Sequence, residues 1–488
     1  MEEATNGGTI GQAIRDYFRE FTRLKAASRN FWVVQLVNLL DGVAYFAMLP
    51  VLVLYLSENL GYSDTGAGYW FGILMAVYTL VGFVAGFVGD SLGIRRTLLL
   101  SVVVLVVSRV VISLFTDKVV VIPALFAIIV GTAIMTPILV AATKRYTTKE
   151  TRTAGFNFLY FLWNVGVIIA GPTLDFVRTT ELGNRGIFML GSVLSILCWV
   201  SIILLMRRRI SAADAAWRAE KKGAGQAEAS AESGQTAAGG EAPDSAADED
   251  QQEWENPLLI AWSVIRESAF WRFMLFLVIV VGVKLVFEHW HAISPKYYLR
   301  VIGPDAPIGK LNALNGVVIC IGLLISTPIV ARFRIFNVMF VGICISAVSV
   351  LIPVIPPTWF CAPDPESLAR GYYILIVAQI VLFSIGEVIW SPRLFEYTAA
   401  IAPEGREASY MGLSTLPMFF ARMVEGPLSG NLLTRYCPQG TTPEAAATLP
   451  FTQSPQFMWL ILAAIALATP VLIAVFRGVI QKEAGKRL

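Results

Sequence analysis

Charged residues and histidines are scarce in this chain. Only 15% of its 488 residues are charged, 56% are hydrophobic, and there are 2 histidines. Its mean hydropathy of +0.64 is far above that of a water-soluble enzyme. The sequence has no Walker phosphate loop, no nucleophile-elbow motif and no cluster of residues with metal-ligand spacing. It therefore predicts no enzyme, no metal site and no cofactor, and its net charge of +3 gives no indication of nucleic-acid binding.

Long apolar runs make up most of the chain. A transmembrane helix needs about 20 mainly apolar residues, and the chain contains twelve runs of that kind. The runs cover residues 31–57, 68–88, 97–115, 119–143, 154–177, 187–206, 269–293, 310–331, 336–355, 372–399, 409–433 and 456–476. The sequence thus predicts an all-α membrane protein with twelve transmembrane helices.

A polar segment separates the first six runs from the last six. It is rich in Ala, Gly, Ser, Glu and Gln and has almost no large aliphatic residues, so we expect a disordered cytoplasmic linker. Two six-helix halves are typical of carriers built from parallel repeats. The predicted division is a cytoplasmic amphipathic N-terminus at 1–30, an N-terminal six-helix bundle at 31–209, the linker at 210–256, a C-terminal six-helix bundle with a leading surface helix at 257–477, and a basic cytoplasmic tail at 478–488.

Lysine and arginine are distributed unequally between the two sets of loops. The segments on the side of the N-terminus hold 25 of the 38 lysines and arginines, whereas the opposite loops hold 8. Cytoplasmic loops carry an excess of these residues, so the sequence predicts a multi-pass integral membrane protein with both termini in the cytoplasm. We expect a monomer in the lipid bilayer of a plasma membrane or a bacterial inner membrane.

Two of the 5 cysteines fall in the opposite, outer loops. Cys361 precedes the tenth apolar run and Cys437 precedes the twelfth. Because the outside of a cell is the oxidising side, these two cysteines could form a disulfide. The sequence alone cannot place their Cα atoms within bonding range, so free thiols remain the alternative.

A few ionisable residues lie inside the apolar runs, where a charge that faces lipid is costly. Lys284 and Glu288 are four residues apart and Arg422 and Glu425 are three apart, so each pair shares a helix face and is predicted to pair locally. The basic groups Lys284, Arg422 and Arg109 are also possible partners for an anionic group of a substrate. A neutralised structural contact is the alternative for the local pairs.

Asp41 and Glu387 lack an oppositely charged residue one helical turn away. They must pair with another helix or be protonated, and an acid whose partner changes with conformation can couple proton movement to transport. Together with Glu288 they are the candidates for proton coupling. A static buried pair is the alternative for Asp41 and for Glu387.

The two histidines, His289 and His291, flank Trp290 near the outer end of the seventh run. Because they are two residues apart, they point to different helix faces, which disfavours joint metal binding. One of them could sense external pH, since the unperturbed pKa of histidine is about 6.5. The alternative is a hydrogen-bonding role at the membrane interface beside an anchoring tryptophan.

Residues 86–96 join the second and third runs. Asp90, Gly93, Arg95 and Arg96 occur there at fixed offsets, and Gly93 suits a turn that needs a positive φ. This spacing resembles the loop signature of the major facilitator superfamily. The resemblance implies a solute carrier in which these four residues form a conformational latch at the inner ends of the helices. A generic positively charged loop after a glycine-containing packing helix is the alternative.

Four further segments resemble signatures of the proton-dependent oligopeptide transporter family. They are residues 38–48 in the first run, 155–166 in the fifth, 314–315 in the eighth and 386–392 in the tenth. The resemblance implies a central pocket in which the amine of a peptide meets Glu387 and its carboxylate meets basic groups. The candidates for substrate binding, each of which could instead serve helix packing, are Glu387, Tyr45, Tyr160, Asn164, Asn315 and Ser391.

The chain departs from that family at positions that matter for binding. Where the family has Glu-x-x-Glu-Arg in its first helix, this chain has Asn38, Asp41 and Gly42. Where the family has a lysine before a proline in its fourth helix, this chain has Thr136. The carboxylate of a peptide is thereby left without its usual partner, so other amines or peptide-like solutes become credible.

The sequence as a whole predicts a secondary transporter. We expect it to move a small organic solute, peptide-like or another amine or zwitterion, by alternating access and proton-coupled symport. One alternative is a facilitator or exchanger without proton coupling for a non-peptide solute, favoured by the missing arginine and lysine. The other is a non-transporting receptor or scaffold on the carrier fold.

Overall fold

The computed structural model describes residues 22, 24–148, 151–206, 266, 268–330, 333–401 and 416–484. Within these ranges the regular secondary structure is entirely helical. The predicted linker at 210–256, most of the predicted N-terminal segment and the last residues of the predicted tail lie outside the described residues.

Twelve long helices follow one another in the described part of the chain. In chain order they are α1 (Arg29–Leu54), α2 (Asp64–Leu92), α3 (Ile94–Leu114), α4 (Lys118–Arg145), α5 (Arg152–Arg178), α6 (Gly183–Leu205), α7 (Ser268–Val301), α8 (Ile308–Val330), α9 (Ile335–Ser349), α10 (Pro365–Ile401), α11 (Leu416–Tyr436) and α12 (Pro455–Ala484). Each coincides with one of the twelve predicted runs. Shorter helical pieces lie at Leu24–Ala26, Tyr55–Asn59, Ile352–Val354, Pro357–Trp359, Pro443–Thr448 and Phe451–Gln453.

Ten helices of the described residues are long and apolar enough to cross a membrane. The helices α7 and α11 are not among these ten, and they carry the charged residues Lys284, Glu288, Arg422 and Glu425. The prediction of helices throughout is confirmed, because a chain in hydrocarbon must satisfy its backbone hydrogen bonds within each segment. Ten of the twelve predicted crossings thus correspond to a helix of sufficient length and apolar composition.

The helices form two halves, α1–α6 and α7–α12. Within the first half α1 packs on α5 and α6, and within the second half α10 packs on α9 and α8. The halves meet mainly where α2 packs on α11 and where α5 packs on α8. Helix α1 is the most deeply buried of the ten apolar helices, since 83% of its central window lies inside the protein. The other helices expose large apolar side chains, for example Val107, Leu204 and Val475, as a lipid-facing surface requires.

Glycines bring the two halves into backbone contact. A Cβ atom at Gly68 of α2 would lie 2.3 Å from the carbonyl oxygen of Gly426 of α11, and one at Gly171 of α5 would lie 2.2 Å from that of Gly309 of α8. Glycine is required at these positions because any side chain would force the helices apart. These contacts lie toward the end of the bundle that holds the α1–α2 and α7–α8 connections, which we call the distal end.

The turn between α2 and α3 has the predicted backbone. Gly93 has φ +78°, and its carbonyl oxygen accepts hydrogen bonds from the backbone N–H and the hydroxyl group of Thr97. Arg95 is half-buried and Arg96 is exposed at the start of α3. The side chain of Asp90 lies outside the described part of the structure, so the latch formed by these residues stays a prediction.

The possible disulfide between Cys361 and Cys437 is not formed in the structure. Both are free thiols. Cys361 lies against Gly371, near the start of α10, whereas Cys437 is buried directly after α11. Burial raises the pKa of the Cys437 thiol to about 12, so this thiol is protonated and unreactive at neutral pH. The oxidising environment expected for both loops does not suffice without proximity of the two sulfur atoms.

Candidate functional site

Asp41 of α1 and Arg109 of α3 form a buried ion pair within the first half. Nη2 of Arg109 lies 3.4 Å from Oδ1 of Asp41. Nη1 of Arg109 donates hydrogen bonds to the carbonyl oxygen of Gly191 at 3.3 Å and to the hydroxyl group of Ser195, both on α6. The guanidinium group of α3 is thus held by two other helices of the same half, α1 and α6. Of the two alternatives for Asp41, this geometry favours the static pair.

Arg422 of α11 pairs with Glu288 of α7. Its Nη2 atom lies 2.7 Å from Oε1 of Glu288. Its Nη1 atom donates a hydrogen bond of 2.6 Å to the hydroxyl group of Thr79, and the guanidinium lies 5.5 Å from the centre of the Tyr78 ring. Both Thr79 and Tyr78 belong to α2, so Arg422 connects the two halves. The predicted local pair between Arg422 and Glu425 is wrong, because the guanidinium is turned toward α7 and α2.

Lys284 of α7 lies beside α10. Its ammonium group is 4.8 Å from the centre of the Trp390 ring, a cation–π contact. Its charge also acts on the carboxylate of Glu387, one turn before Trp390. The predicted contact pair of Lys284 with Glu288 is wrong, because Glu288 is bound by Arg422.

Glu387 of α10 is held by a neutral amide. Its Oε2 atom accepts a hydrogen bond of 3.1 Å from Nδ2 of Asn315 on α8, and the same amide donates to the hydroxyl group of Ser384 at 2.9 Å. Glu387 is 9% exposed, and Ser391 is buried one turn further along α10. The structure thus brings together two residues that the family resemblance assigned to one pocket, Asn315 and Glu387.

Aromatic side chains of the first half line the space near Arg422. The rings of Tyr45 and Tyr78 are stacked with their centres 6.2 Å apart, and Phe46 joins Tyr45 to Trp163 through edge contacts at 5.2 Å and 5.7 Å. We call these four residues the aromatic wall. The hydroxyl group of Tyr78 lies 3.4 Å from that of Thr136, the residue that replaces the family's lysine.

Tyr160 and Asn164 bring α5 to the same region. The side-chain amide of Asn164 donates a hydrogen bond of 3.0 Å to the carbonyl oxygen of Tyr160, within the helix. Tyr160 is 40% exposed, and its hydroxyl group interacts with Asn164 and, electrostatically, with Glu387 of the second half. The exposed surface of Tyr160 therefore belongs to the region where the two halves face each other.

The described residues thus form one continuous polar region between the halves, which we call the central site. Charge interactions connect Arg422 to Glu288, Glu288 to Lys284 and Lys284 to Glu387. Asp41 and Arg109 lie within the first half. The members of the central site are Tyr45, Tyr78, Tyr160, Lys284, Glu288, Asn315, Glu387 and Arg422.

A second charged group, at the distal end, has no counterpart among the sequence predictions. Lys296 and Arg300 of α7 each lie 2.9 Å from the carboxylate of Asp64 at the start of α2. Lys296 also contacts the hydroxyl group of Ser57, and Arg300 donates to the carbonyl oxygen of Cys437. We call Asp64, Lys296 and Arg300 the distal lock. The spacing of four residues between the two cations is visible in the sequence. Their predicted position in an outer loop, however, indicates only the topology in the membrane.

This arrangement defines a class of protein: a helical membrane protein whose two six-helix halves enclose charged residues between them. A family model for the Major Facilitator Superfamily matches residues 34–427. The chain belongs to the major facilitator superfamily.

Curated relatives match a shorter part of the chain. A dipeptide and tripeptide permease B of Shigella dysenteriae is 32% identical over 151 residues, which are 29% of this chain and 30% of the permease. Dipeptide and tripeptide permease B of Salmonella typhimurium is 30% identical over 158 residues, 30% of this chain and 31% of the permease. The chain thus aligns with about a third of the length of these relatives.

Solved structures match nearly the whole fold at low identity. A transporter of the POT family in complex with 5-aminolevulinic acid has a TM-score of 0.69 at 16% identity, covering 93% of this chain and 97% of that one. A peptide transporter POT variant in complex with sulfate has a TM-score of 0.68 at 15% identity, covering 92% and 94%. A nucleoside transporter reaches 0.66 at 14% identity, covering 92% and 100%. At this identity the likeness establishes the fold and leaves the solute open.

Proposed function

We propose that this chain is a secondary transporter that moves a small zwitterionic or cationic organic solute by alternating access, coupled to protons. One observation carries the proposal. The carboxylate of Glu387 lies between the halves and is held by the neutral amide of Asn315. An acid in that position can bind an amine of the solute, because its charge is not consumed by an arginine.

The three candidate cations for a solute anion differ in how fully other groups of the protein bind them. Arg109 is engaged by Asp41 and α6, and Arg422 is engaged by Glu288 and Thr79. Lys284 rests on the ring of Trp390 and is the nearest basic group to act on Glu387. We therefore assign Lys284 as the partner of a solute carboxylate, ahead of Arg109 and Arg422.

Together Lys284 and Glu387 offer one positive and one negative group to a solute. A short peptide or an amino acid carries both complementary charges, and an amine carries one of them. The aromatic wall, which reaches Arg422 through Tyr78, would pack against apolar parts of such a solute. The peptide permeases among the curated relatives support a peptide-like solute. Thr136 of the first half stands where the oligopeptide transporter family has a lysine, which supports a partner for the solute carboxylate on the second half.

Proton coupling is assigned to Glu387 and Glu288. Both acids are bound by groups on other helices of the second half, and both also reach the first half, Glu387 through its charge interaction with Tyr160 and Glu288 through its partner Arg422. Arg422 also bonds Thr79 of the first half, and opening the distal side would pull it away from that partner. Glu288 could then take up a proton when its cation moves. Asp41, held within the first half, is assigned a structural role.

Alternating access follows from the position of the contacts between the halves. The distal lock and the glycine contacts join the halves at the distal end. With the predicted orientation the distal end faces outside, and the arrangement corresponds to a state closed to the outside. Asp90, Arg95 and Arg96 are then assigned to the opposite latch, which holds when the distal end is open.

The test is uptake by the purified protein in proteoliposomes. The solutes are dialanine, 5-aminolevulinic acid, an aliphatic diamine, glucose and uridine, each measured with and without an inward proton gradient. We expect accumulation of dialanine or an amine only with the gradient, and its loss in Glu387→Gln but not in the exposed control Glu366→Gln. Equal uptake of every solute without the gradient would refute the proposal.

The second candidate is a facilitator or exchanger without proton coupling. Arg109 and Arg422 are each paired with a carboxylate of the protein, and these pairs favour the second candidate. If the pairs persist during transport, the carboxylates of Asp41 and Glu288 stay bound and do not take up a proton. In that case the same liposomes would exchange labelled for unlabelled solute at equal rates at all pH values, and a proton gradient would not concentrate the solute.

A further inference from the structure

A buried cluster of three side chains lies between α7 and α11, next to the central site. Nδ1 of His289 is in hydrogen-bond contact with the hydroxyl group of Ser429. Ser429 in turn donates a hydrogen bond of 3.1 Å to Oε1 of Glu425, and Nδ1 of His289 lies 3.7 Å from the same oxygen. The exposures of these residues are 2%, 1% and 0%. The sequence alone does not indicate that these three side chains lie together.

The two ends of this cluster have no hydrogen-bond partner among the described residues. These ends are Nε2 of His289 and Oε2 of Glu425. A buried polar atom without a partner is costly, so its persistence calls for an explanation. The cluster is therefore a short chain of hydrogen bonds with a free acceptor at the imidazole end and a carboxylate at the other end.

For a neutral imidazole and a carboxyl proton on Oε1, donor and acceptor rules leave two arrangements of the cluster. Ser429 has one hydroxyl hydrogen, and imidazole carries its hydrogen on one nitrogen when neutral. In the first arrangement His289 carries its hydrogen on Nδ1 and donates to Ser429, which donates to the Glu425 carboxylate. In the second, protonated Glu425 donates to Ser429, which donates to Nδ1 of His289, and the imidazole carries its hydrogen on Nε2.

We propose that His289, Ser429 and Glu425 form a relay that holds one exchangeable proton; its use in transport rests on the proposed function. The two arrangements differ by one proton. A solvent proton forms a new N–H bond at Nε2, the Nδ1 hydrogen passes to the Ser429 oxygen, and the hydrogen of that hydroxyl passes to Oε1 of Glu425. One bond forms and one breaks at each step, and the cluster changes from a net charge of −1 to neutral.

The charged groups around the relay are balanced. On α7 the neighbour of His289 is Glu288, and on α11 the residue one turn before Glu425 is Arg422; these two pair with each other. Helix α2 contributes Thr79 and Tyr78 to Arg422. Helix α12, which also packs on α7, has no ionisable residue between Pro455 and Phe476.

Of the remaining ionisable groups of the packed helices, His291 of α7 and Tyr45 of α1 also act through charge interactions on the pair of Glu288 and Arg422, and the others are held elsewhere. On α1 Asp41 is bound by Arg109, on α10 Glu387 is bound by Asn315, and Lys284 of α7 lies on α10. A change of charge on Glu425 is therefore felt first by the pair of Glu288 and Arg422. Loading the relay removes the negative charge that Glu425 adds beside Glu288, and so couples the relay to the central site.

The test follows the imidazole of His289 directly and needs no solute. The chain has 2 histidines, so His291→Gln leaves His289 as the sole histidine. This variant, labelled with ¹⁵N-histidine and placed in lipid nanodiscs, reports by NMR which ring nitrogen carries the hydrogen between pH 5 and pH 9. We expect the Nδ1–H form at high pH and the Nε2–H form at low pH.

Three substitutions in the same background decide the outcome. Glu425→Gln mimics the loaded, uncharged state and should hold His289 in one form at every pH. Ser429→Ala should remove the change of form, whereas Ser429→Thr, which keeps the hydroxyl group, should preserve it. A single ring form throughout in the parent variant, or an unchanged response in Glu425→Gln and Ser429→Ala, would overturn the relay.

Uptake measurements distinguish a failure of the relay from a failure of the proposed function. If the ring form changes as expected but the liposomes take up no solute, the relay stands and the proposed function fails. If the liposomes accumulate dialanine, Glu425→Gln should keep solute exchange and lose accumulation by at least tenfold. Accumulation by Glu425→Gln at the level of the parent protein would contradict a role of the relay in coupling.

Discussion

At the scale of single residues, the partner of a charged side chain depends more on the direction in which that side chain points than on its spacing along the helix. Arg422 and Glu425 share a helix face, and so do Lys284 and Glu288, yet neither pair forms a contact. An ion pair within one helix stabilises that helix by only about 0.2–0.5 kcal/mol. A basic side chain therefore binds a carboxylate of a neighbouring helix instead when the two can form a short, charge-assisted hydrogen bond. Lys284 is thereby left without a contacting carboxylate among the described residues and lies on the ring of Trp390.

The role of Lys284 predicts a selective defect. Lys284→Gln should weaken binding of dialanine about tenfold or more, since a charge-assisted hydrogen bond contributes about 1.5–3 kcal/mol, and should leave binding of a simple amine nearly unchanged. Competition against labelled solute in proteoliposomes measures both. The matched variant Glu387→Gln should weaken both solutes, and equal losses for both solutes in Lys284→Gln would rule out the carboxylate partner.

At the scale of the elements, close packing of the two halves relies on glycine. Gly82 belongs to the glycine-containing helix before residues 86–96, but a Cβ there would meet its nearest neighbour at 3.8 Å, an ordinary contact. The backbones approach closely at Gly68 and Gly171 instead. These contacts hold α2 against α11 and α5 against α8, and a hydrophobic driving force contributes little in lipid.

A side chain at Gly171 should therefore open the interface of α5 and α8. In Gly171→Val the added atoms would overlap the carbonyl oxygen of Gly309, and we expect a lower melting temperature and a larger separation of the distal ends. Thermal unfolding and distances between spin labels on α5 and α8 measure the two effects. Gly478→Val is the matched control, because a Cβ there meets nothing within 4 Å. Identical melting of the two variants would show that the glycine contact does not matter.

At the scale of the whole molecule, the distal lock fixes how the halves sit. Asp64 receives two cations from α7, and the side chains of all three residues are at most 11% exposed. Ion pairs shielded from water are screened less by salt than exposed pairs. The lock therefore holds the distal end closed, and its disruption is a requirement for the proposed alternating access.

Asp64→Asn should shift the equilibrium toward distal opening. Loss of the charged hydrogen bonds costs the closed state about 2 kcal/mol, which is roughly thirtyfold in the equilibrium constant. Spin-label distances across the distal ends of α2 and α7 would report the larger open population. Glu366→Gln is the control, since its pair with Arg370 is exposed at 84% and 67% and contributes about 0.3–0.5 kcal/mol. An unchanged distance distribution in Asp64→Asn would show that the lock does not hold the closed state.

The predicted orientation in the membrane has its own test. Glu366 is exposed at the start of α10, on the side assigned to the outside. In a Cys361→Ser background, which removes the half-buried outer thiol, a cysteine in place of Glu366 should react with a membrane-impermeant maleimide in intact cells at several times the rate of the background protein, whose Cys437 is buried. Labelling that appears only after the cells are broken would reverse the orientation.

The sequence by itself determined the helices, their order and which of them carry acids and bases. Hydropathy is a property of each segment, and bilayer thickness sets the length that a segment needs, so no contact between segments enters that prediction. The resemblance of the sequence to the oligopeptide transporter family also predicted that Asn315 and Glu387 lie in one pocket. Only the tertiary structure decided which partners the charges take: Arg422 binds Glu288, Asp64 binds Lys296 and Arg300, and His289 reaches Glu425 through Ser429. Such choices depend on the rotation of each helix about its axis and on the neighbour it faces, and spacing along one helix does not contain that information.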